Sequence, residues 1–380
     1  MRLRTGLRVL WCATDEVQVG TDSRWAVRLT GLTPIEVSIL LTLNDGTSTR
    51  TLASQARVLG VGPARVDSLI RLLDGADLLT GTGGGPLQGA KALPPGSTPD
   101  SATWSRVLAD GDGDGLLAAR RARVVGLIGA GRLGLSAAVT LAAAGVGTVL
   151  VEDGEPVFAS DLGVGGYTTR DLTSPRRDAA ARVLRDVAAS VRTRAPARTL
   201  PDVMLLVEHG AADALRARAL MSAGIVHLSV VVREADVVVG PLVRPGLAPC
   251  LRCLDLHRTD ADRRWPTLAA QLVDVRAAPG TAGTPGPSTR RDGPTHRVDE
   301  ESLLAAIAGP LAAGQVLAQL DGTDPVTVGA QLEIALPEAV PRLRTWASHP
   351  SCGCAGLPGT NHPGTNHPGT NHPGTRLPRR

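Results

Sequence analysis

Two groups of residues in this sequence have the types and spacing that chemistry requires, and the first is a glycine turn. Gly129, Gly131 and Gly134 follow an apolar run at 124–128, which is typical of a buried strand. Glycines at this spacing allow a tight turn, a close approach of the backbone to a phosphate, and close packing of the next helix. The free N–H groups of that helix would attract an anion. An acid about twenty residues later would hold ribose hydroxyl groups, and Asp153 stands at that distance.

The second group consists of cysteines in two close pairs: Cys250 with Cys253, and Cys352 with Cys354. In a reducing compartment such pairs are typical of a structural zinc site, whose four thiolates leave no open position for catalysis. The alternative is that the thiols are unrelated, since disulfides are rare in that compartment. His257 and His349 lie near the cysteines and could replace a thiolate, but we interpret them as bystanders. The fifth cysteine, Cys12, is predicted to be a core residue.

The elements around the glycine turn predict the fold of the central part of the chain. A helix at 135–144 and a strand at 148–151 complete one βαβ unit. Further strands at 203–207, 225–232 and 235–243 alternate with helices at 178–190 and 212–223. This alternation predicts a Rossmann-like, doubly wound α/β domain.

Composition and charge limit the class of protein. The chain has 380 residues, is 43% hydrophobic and carries a formal net charge of +4, so two or three domains of about 150 residues are expected. Basic residues form no run with interleaved aromatic residues, which argues against nucleic-acid binding. We find no signal peptide and no apolar run of about 18 residues. The sequence therefore predicts a cytoplasmic protein that does not bind a membrane.

Residues 1–81 predict a winged-helix-like domain, in which a three-stranded meander precedes three helices. Thr33, Pro34 and Glu36 mark the beginning of the first helix. The third helix has too few basic residues for DNA, so we favour a peptide that adds a strand to the meander edge. A domain that only packs on the rest of the chain remains an alternative. The candidate peptide-contact residues are Trp25, Val27, Leu29, Val66 and Ile70.

Amino-acid composition predicts the character of the remaining segments. Residues 82–122 are predicted to be a linker and connecting segment, and residues 123–275 form the Rossmann-like domain. Residues 276–298 are rich in Pro, Gly and Thr and are predicted to be a disordered insertion. Residues 299–355 complete the domain with a helix, a strand and the second cysteine pair. The low-complexity tail, 356–380, repeats Asn-His-Pro-Gly-Thr three times, and we assign it no function.

Residues 124–162 resemble the ThiF and ubiquitin-activating-enzyme family of adenylyltransferases. They share the glycine turn, the Ala144-Gly-Val-Gly147 element and the Asp153-Gly-Glu155 element. A zinc site of paired cysteines is also a family feature. The resemblance implies that several catalytic positions are changed: the family Arg that contacts ATP falls on Val164, the Gln on Gly165, the Asn on Asp161, the Lys on Arg176 or Arg177, and the magnesium-binding Asp near Glu208 or His209.

Residues 240–258 and 349–354 are similar to the cyclodehydratase-partner proteins of thiazole/oxazole-modified microcin (TOMM) biosynthesis, a class of ribosomal peptide natural product (RiPP) pathway. The resemblance implies a non-catalytic scaffold that binds a leader peptide and presents the precursor to a separate YcaO-type enzyme. It implies a structural Zn²⁺ and a homodimer, and it leaves ATP binding open. The alternative is an adenylyltransferase that uses ATP to activate the C-terminus of a peptide or carrier protein.

Overall fold

The computed structural model describes residues 1–4, 6–23, 26–80, 97–108, 110–163, 165–196, 198–273 and 299–356. The chain divides into two compact units. The first unit comprises Met1–Ala122 and Ala142–Gly147, and the second comprises Arg123–Leu141 and Thr148–Arg380. Trp25, Val164, the predicted insertion at 276–298 and the repeats of the tail lie outside the described residues.

The first unit contains a three-stranded meander followed by three helices, as predicted. The meander is antiparallel in the order β2-β3-β4, and a separate short pair joins β1 to β5. Residues 98–107 and 113–121, which belong to the predicted linker and connecting segment, form two helices. The elements are β1 (Arg2–Leu3), β2 (Val9–Ala13), β3 (Glu16–Val19), β4 (Val27–Leu29), α1 (Pro34–Leu41), α2 (Thr49–Val58), α3 (Pro63–Gly75), β5 (Leu79–Thr80), α4 (Thr98–Val107) and α5 (Gly113–Arg121).

The first helix begins where the sequence predicts, because its capping residues satisfy free backbone groups. The Glu36 N–H donates to the Thr33 hydroxyl at 3.2 Å, and the Thr33 N–H donates to the Glu36 carboxylate at 2.7 Å. Arg65 of α3 donates to the same carboxylate at 2.7 Å. This hydrogen bond attaches α3 to α1 over a core of apolar side chains that includes Val17, Val19, Leu40, Leu52 and Leu73.

Cys12 is exposed, so the prediction that it is a core residue is wrong. The register between β2 and β3 is irregular between Trp11 and Ala13. The prediction rested on the general tendency of free cysteines to be buried, which the position in this strand overrides.

The second unit is a mixed α/β domain built on a seven-stranded sheet in the order β12-β11-β10-β9-β8-β6-β7. Strands β7, β6, β8 and β9 are parallel, and β10 to β12 extend the sheet by antiparallel pairs. The elements are β6 (Val124–Ile128), α6 (Arg132–Ala143), β7 (Thr148–Glu152), α7 (Arg176–Val187), β8 (Val203–His209), α8 (Ala214–Ser222), β9 (His227–Val232), β10 (Asp236–Val243), α9 (Leu251–Ala261), α10 (Trp265–Val273), α11 (Ser302–Leu320), β11 (Ala330–Ala335) and β12 (Arg342–Thr345).

Helix α11 is, among the described residues, the one helix long and apolar enough to cross a membrane by length and composition alone. This finding corrects the prediction that no apolar run reaches that length. Its inner face, with Ala308, Ala312 and Val316, is buried, and the helix packs on β8 to β11. A core helix of a soluble domain passes the same test of length and composition.

Candidate functional site

The glycine turn connects β6 to α6 in the geometry that the sequence predicts. Gly129 has a φ of +83°, a conformation that residues with a side chain rarely adopt. A Cβ atom on Gly134 would lie 1.9 Å from the Gly129 carbonyl oxygen. Glycine is therefore required at both positions by the path of the backbone itself.

Asp153 follows β7 and lies beside this turn, where an acid that holds ribose is expected. Its Oδ2 accepts a hydrogen bond from the Ala130 N–H at 2.8 Å, and its Oδ1 accepts one from the Glu155 N–H at 3.0 Å. Arg176 also donates to Oδ2, at 3.2 Å. Both carboxylate oxygens are thus engaged by the chain itself.

Arg176 begins α7 and also binds Asp161, which ends a 3-10 turn. Its Nε donates to Asp161 Oδ2 at 3.0 Å and its Nη2 donates to Oδ1 at 2.8 Å. Burial by itself would lower the pKa of Arg176, but the hydrogen bonds and charge of Asp161 outweigh it, and the pKa is raised. Arg176 and Asp161 therefore neutralise each other in a buried ion pair.

Tyr167, the only tyrosine of the chain, ties the turn to α7. Its hydroxyl is within hydrogen-bond distance of the Ala130 carbonyl at 2.9 Å and of the Arg176 carbonyl at 3.2 Å, and its side chain is buried. Burial raises the pKa of this hydroxyl, so it stays protonated and can donate. Sequence analysis missed Tyr167 because no motif marks it.

Glu300 precedes α11 and places its carboxylate at the N-terminus of α6. Its Oε2 accepts a hydrogen bond from the Leu133 N–H, and its Oε1 lies 3.0 Å from His209 Nε2. The side chain is 7% exposed. Burial would raise its pKa, but the hydrogen bonds to His209 and Leu133 hold the pKa below its ordinary value. Glu300 is therefore an ionised acid buried against the glycine turn, and sequence analysis missed it.

The last two residues of β8 point in different directions, as successive residues of a strand do. His209 faces Glu300, whereas Glu208 accepts hydrogen bonds from Arg216 and, at 3.3 Å, from the Asp213 N–H. Burial raises the pKa of Glu208. Glu208 is thus held at α8, and the imidazole of His209 faces the glycine turn.

The four predicted zinc ligands lie together in the second unit. The Sγ–Sγ distances are 4.0 Å for Cys250–Cys253, 3.7 Å for Cys250–Cys352 and 3.3 Å for Cys253–Cys354. A tetrahedral ion with Zn–S bonds of about 2.3 Å separates its sulfur atoms by about 3.8 Å, so the cluster has the dimensions of such a site. Burial raises the pKa of Cys250 and raises that of Cys354 to about 11. A cation would therefore be needed to hold all four as thiolates.

The two nearby histidines are engaged by other groups. His349 Nε2 lies 2.8 Å from Asp260, and its Nδ1 accepts a hydrogen bond from the Ser351 N–H at 3.1 Å. His257 Nε2 lies 3.0 Å from the Ala347 carbonyl oxygen. With Asp260 the two histidines form a second group whose ligand atoms lie close enough to hold a metal ion.

The candidate peptide-contact residues divide into buried and partly exposed ones. Leu29 and Val66 are buried in the core of the first unit, while Val27 and Ile70 pack on that core and stay partly exposed. Trp25 lies outside the described residues.

At the β2 edge of the meander, the Asn44 side chain engages the outward backbone groups of Val9. The Val9 N–H donates to Asn44 Oδ1 at 2.8 Å, and Asn44 Nδ2 donates to the Val9 carbonyl at 2.9 Å.

The pairing of the strands shows which backbone groups of β4 face outward. The Gly20 N–H donates to the Arg8 carbonyl at 3.0 Å, so the backbone groups of Gly20, and of Gln18 two residues earlier, face β2. Arg28 stands opposite Gln18 in β4. Its N–H and C=O therefore face away from the meander.

Comparison with known proteins identifies the family of this chain. The model of the ThiF family matches residues 105–354, which is well over half of the chain. The chain belongs to the ThiF family. Among curated protein sequences, no match was found.

Solved structures share the fold at low sequence identity. E. coli MccB with ATP has a TM-score of 0.64 and 13% identity, and the match covers 93% of this chain and 99% of that one. E. coli MccB with MccA has a TM-score of 0.66 and 13% identity, over 94% and 99% of the two chains. PaaA has a TM-score of 0.63 and 15% identity, over 89% and 98%. At such identities the likeness establishes the fold alone.

Proposed function

We propose that this protein is a scaffold that binds a leader peptide and presents a ribosomal precursor peptide to a YcaO-type, azoline-forming cyclodehydratase. The observation that carries the proposal is the outward-facing backbone of Arg28 at the β4 edge of the first unit. At the β2 edge the Asn44 side chain engages the backbone of Val9, whereas at the β4 edge the N–H and C=O of Arg28 face outward. An extended peptide binds such an edge by adding a strand, with its main chain supplying the hydrogen bonds.

Val27 and Ile70 would offer an apolar surface to the peptide. Val27 of β4 and Ile70 of α3 are partly exposed and rest on the core. They would contact alternate side chains of the added strand. Leu29 and Val66 would support this surface from below, since both are buried. Trp25 remains a predicted contact.

The glycine turn supports a scaffold more than an adenylyltransferase. Adenylation requires cations at the triphosphate and a metal-binding acid. Here Arg176 is bound by two carboxylates and Arg132 by the Glu300 carbonyl and Ser302, each at 2.9 Å. Gly165 stands where the family has Gln.

Several further properties belong to this proposal. The four cysteines would hold a structural Zn²⁺, which their spacing fits. The first unit would follow the winged-helix pattern, and the protein would act in the cytoplasm, as a homodimer, without binding nucleic acid or membrane. The structure of E. coli MccB with MccA supports the proposal that this fold binds a partner molecule.

A binding assay tests the peptide site. Fluorescence polarisation would follow a labelled leader peptide of a precursor encoded beside this protein. Arg28→Pro removes the outward N–H without breaking a backbone hydrogen bond of the meander, and proline is tolerated at such edge positions. It also removes the side-chain contacts of Arg28 with Gln18 and Glu16. We expect at least about tenfold weaker binding, since one or more hydrogen bonds are lost.

Arg28→Ala is the matched control, because it removes the same side chain and keeps the N–H. We expect it to bind nearly as tightly as the wild type. Equal binding by Arg28→Pro, with an unchanged circular dichroism spectrum, would refute strand addition at this edge.

The alternative function is an ATP-dependent adenylyltransferase, which membership of the ThiF family and the position of Asp153 favour. The cofactor-binding residues would then be Gly129, Gly131, Gly134 and Asp153. It predicts ATP–pyrophosphate exchange in the presence of the acceptor peptide, lost in Asp153→Ala. Absence of exchange at saturating ATP and peptide would remove this alternative.

A further inference from the structure

The position of Glu300 suggests a role that neither the family nor the glycine motif assigns. A nucleotide phosphate binds a glycine turn at the helix N-terminus, where free N–H groups meet the positive end of the helix dipole. In this protein the Leu133 N–H of that helix donates to the Glu300 carboxylate. The resident acid thus stands where a phosphate would stand.

The middle glycine of the turn accommodates this acid. A Cβ atom on Gly131 would lie 2.6 Å from Glu300 Oε1, so a side chain there would displace this carboxylate. The space that this glycine opens next to the backbone is therefore taken up by a carboxylate of the chain itself.

Other contacts hold the acid in place. Arg132, in the turn, donates to the Glu300 carbonyl and to the Ser302 hydroxyl, both at 2.9 Å. His209 Nε2 lies 3.0 Å from Glu300 Oε1. The backbone and the carboxylate of Glu300 are thus anchored separately, and the side chain is almost fully buried.

We propose that Glu300 is the resident anion of the glycine turn, and that it closes the turn to nucleotide phosphates and other oxyanions. The carboxylate supplies the negative charge that the N-terminus of α6 favours. A phosphate can bind only after this carboxylate has left. The inference does not require that the first unit bind a peptide.

The test compares the full-length wild type with Glu300→Ala in thermal unfolding and isothermal titration calorimetry. Inorganic pyrophosphate and Mg-ATP are the probes. We expect neither probe to shift the wild-type unfolding temperature. Glu300→Ala should unfold at a lower temperature, should be restabilised by pyrophosphate, and should bind it at least about tenfold more tightly than the wild type does.

Glu301→Ala is the matched control. The Glu301 carboxylate accepts hydrogen bonds from the Leu303 and Leu304 N–H groups and caps α11, so its loss leaves the glycine turn closed. We expect no response of this variant to pyrophosphate.

Two results would overturn the proposal. One is wild-type binding of pyrophosphate as tight as that of Glu300→Ala, and the other is a folded Glu300→Ala that binds no pyrophosphate. If Glu300→Ala does not fold, Glu300→Gln serves instead. It keeps the shape but not the charge, so it should be less stable than the wild type and remain closed to the probe. Tight binding of pyrophosphate by the wild type refutes the proposal whatever the variants do. That result would not affect the proposed peptide site of the first unit, which the fluorescence-polarisation assay tests separately.

Discussion

Replacing Arg176 by methionine should destabilise the second unit strongly. The side chains of Arg176, Asp153 and Asp161 are 6%, 7% and 8% exposed. Methionine keeps much of the volume but leaves two buried carboxylates without their cation. Removing one partner of a buried ion pair costs about 3–5 kcal/mol. At about 2–4 °C per kcal/mol for a unit of this size, the unfolding midpoint should fall by about 6–20 °C.

Thermal and urea unfolding, followed by circular dichroism, measure this loss. Arg170→Met is the matched control, because Arg170 pairs with Asp186 at 3.3 Å while both side chains are largely exposed, at 72% and 65%. An exposed pair contributes about 0–1 kcal/mol. The control should therefore move the midpoint far less than Arg176→Met.

A double-mutant cycle tests whether the ion pair itself is responsible. Asp161→Asn removes one of the two carboxylates that Arg176→Met leaves unpaired. Arg176→Met should therefore lower the free energy of unfolding by less in the Asp161→Asn background than in the wild type. Additive losses, or an Arg176→Met variant no less stable than Arg170→Met, would refute the reasoning.

Three further outcomes follow from the same geometry. Elemental analysis should find about one zinc per chain, and Cys250→Ser should abolish it; a full zinc content in that variant would contradict the ligand assignment. A maleimide should label only Cys12 in the native protein, because it alone of the five cysteines is exposed, and label the others after zinc is chelated; rapid labelling of all five without chelation would contradict this result. The folded pKa of Glu300 lies below its ordinary value of 4.5, so its contribution to stability is complete above about pH 4.5 and is lost as the pH falls through the folded pKa. The urea midpoint should therefore fall more steeply in acid for the wild type than for Glu300→Gln, and parallel curves would contradict the shift.

The features that the sequence predicts well are encoded locally. The strand at 124–128 and the beginning of α1 were predicted to the residue. An apolar run and a capping box each decide the conformation of residues that are close in the chain. The cysteine cluster was also predictable, because its spacing within each pair reveals it even though the two pairs are far apart.

The features that were missed depend on contacts between distant residues. Strand β12 has four exposed residues, so no apolar alternation marks it, and it forms only because β11 offers an edge. Tyr167 and Glu300 carry no motif, and their roles arise from where the fold places them. Helices α4 and α5 lie in the segment that was predicted only as linker and connecting segment, because a Gly/Pro-rich stretch begins it.

The glycine fingerprint itself is explained by contacts within the protein. A Cβ atom on Gly129 would lie 2.2 Å from the Val207 carbonyl oxygen, and one on Gly131 would lie 2.6 Å from Glu300. Gly134 meets the Gly129 carbonyl. Gly129 and Gly134 meet backbone oxygens and are therefore required by the fold whether or not a nucleotide binds, whereas Gly131 meets the carboxylate of Glu300. Substitution of Gly129 or Gly134 should disrupt folding. A glycine motif typical of phosphate binding can persist in a sequence after a side chain has replaced the phosphate. Variants of Glu300 separate the structural role of the glycines from anion binding, because they change the anion and leave all three glycines intact.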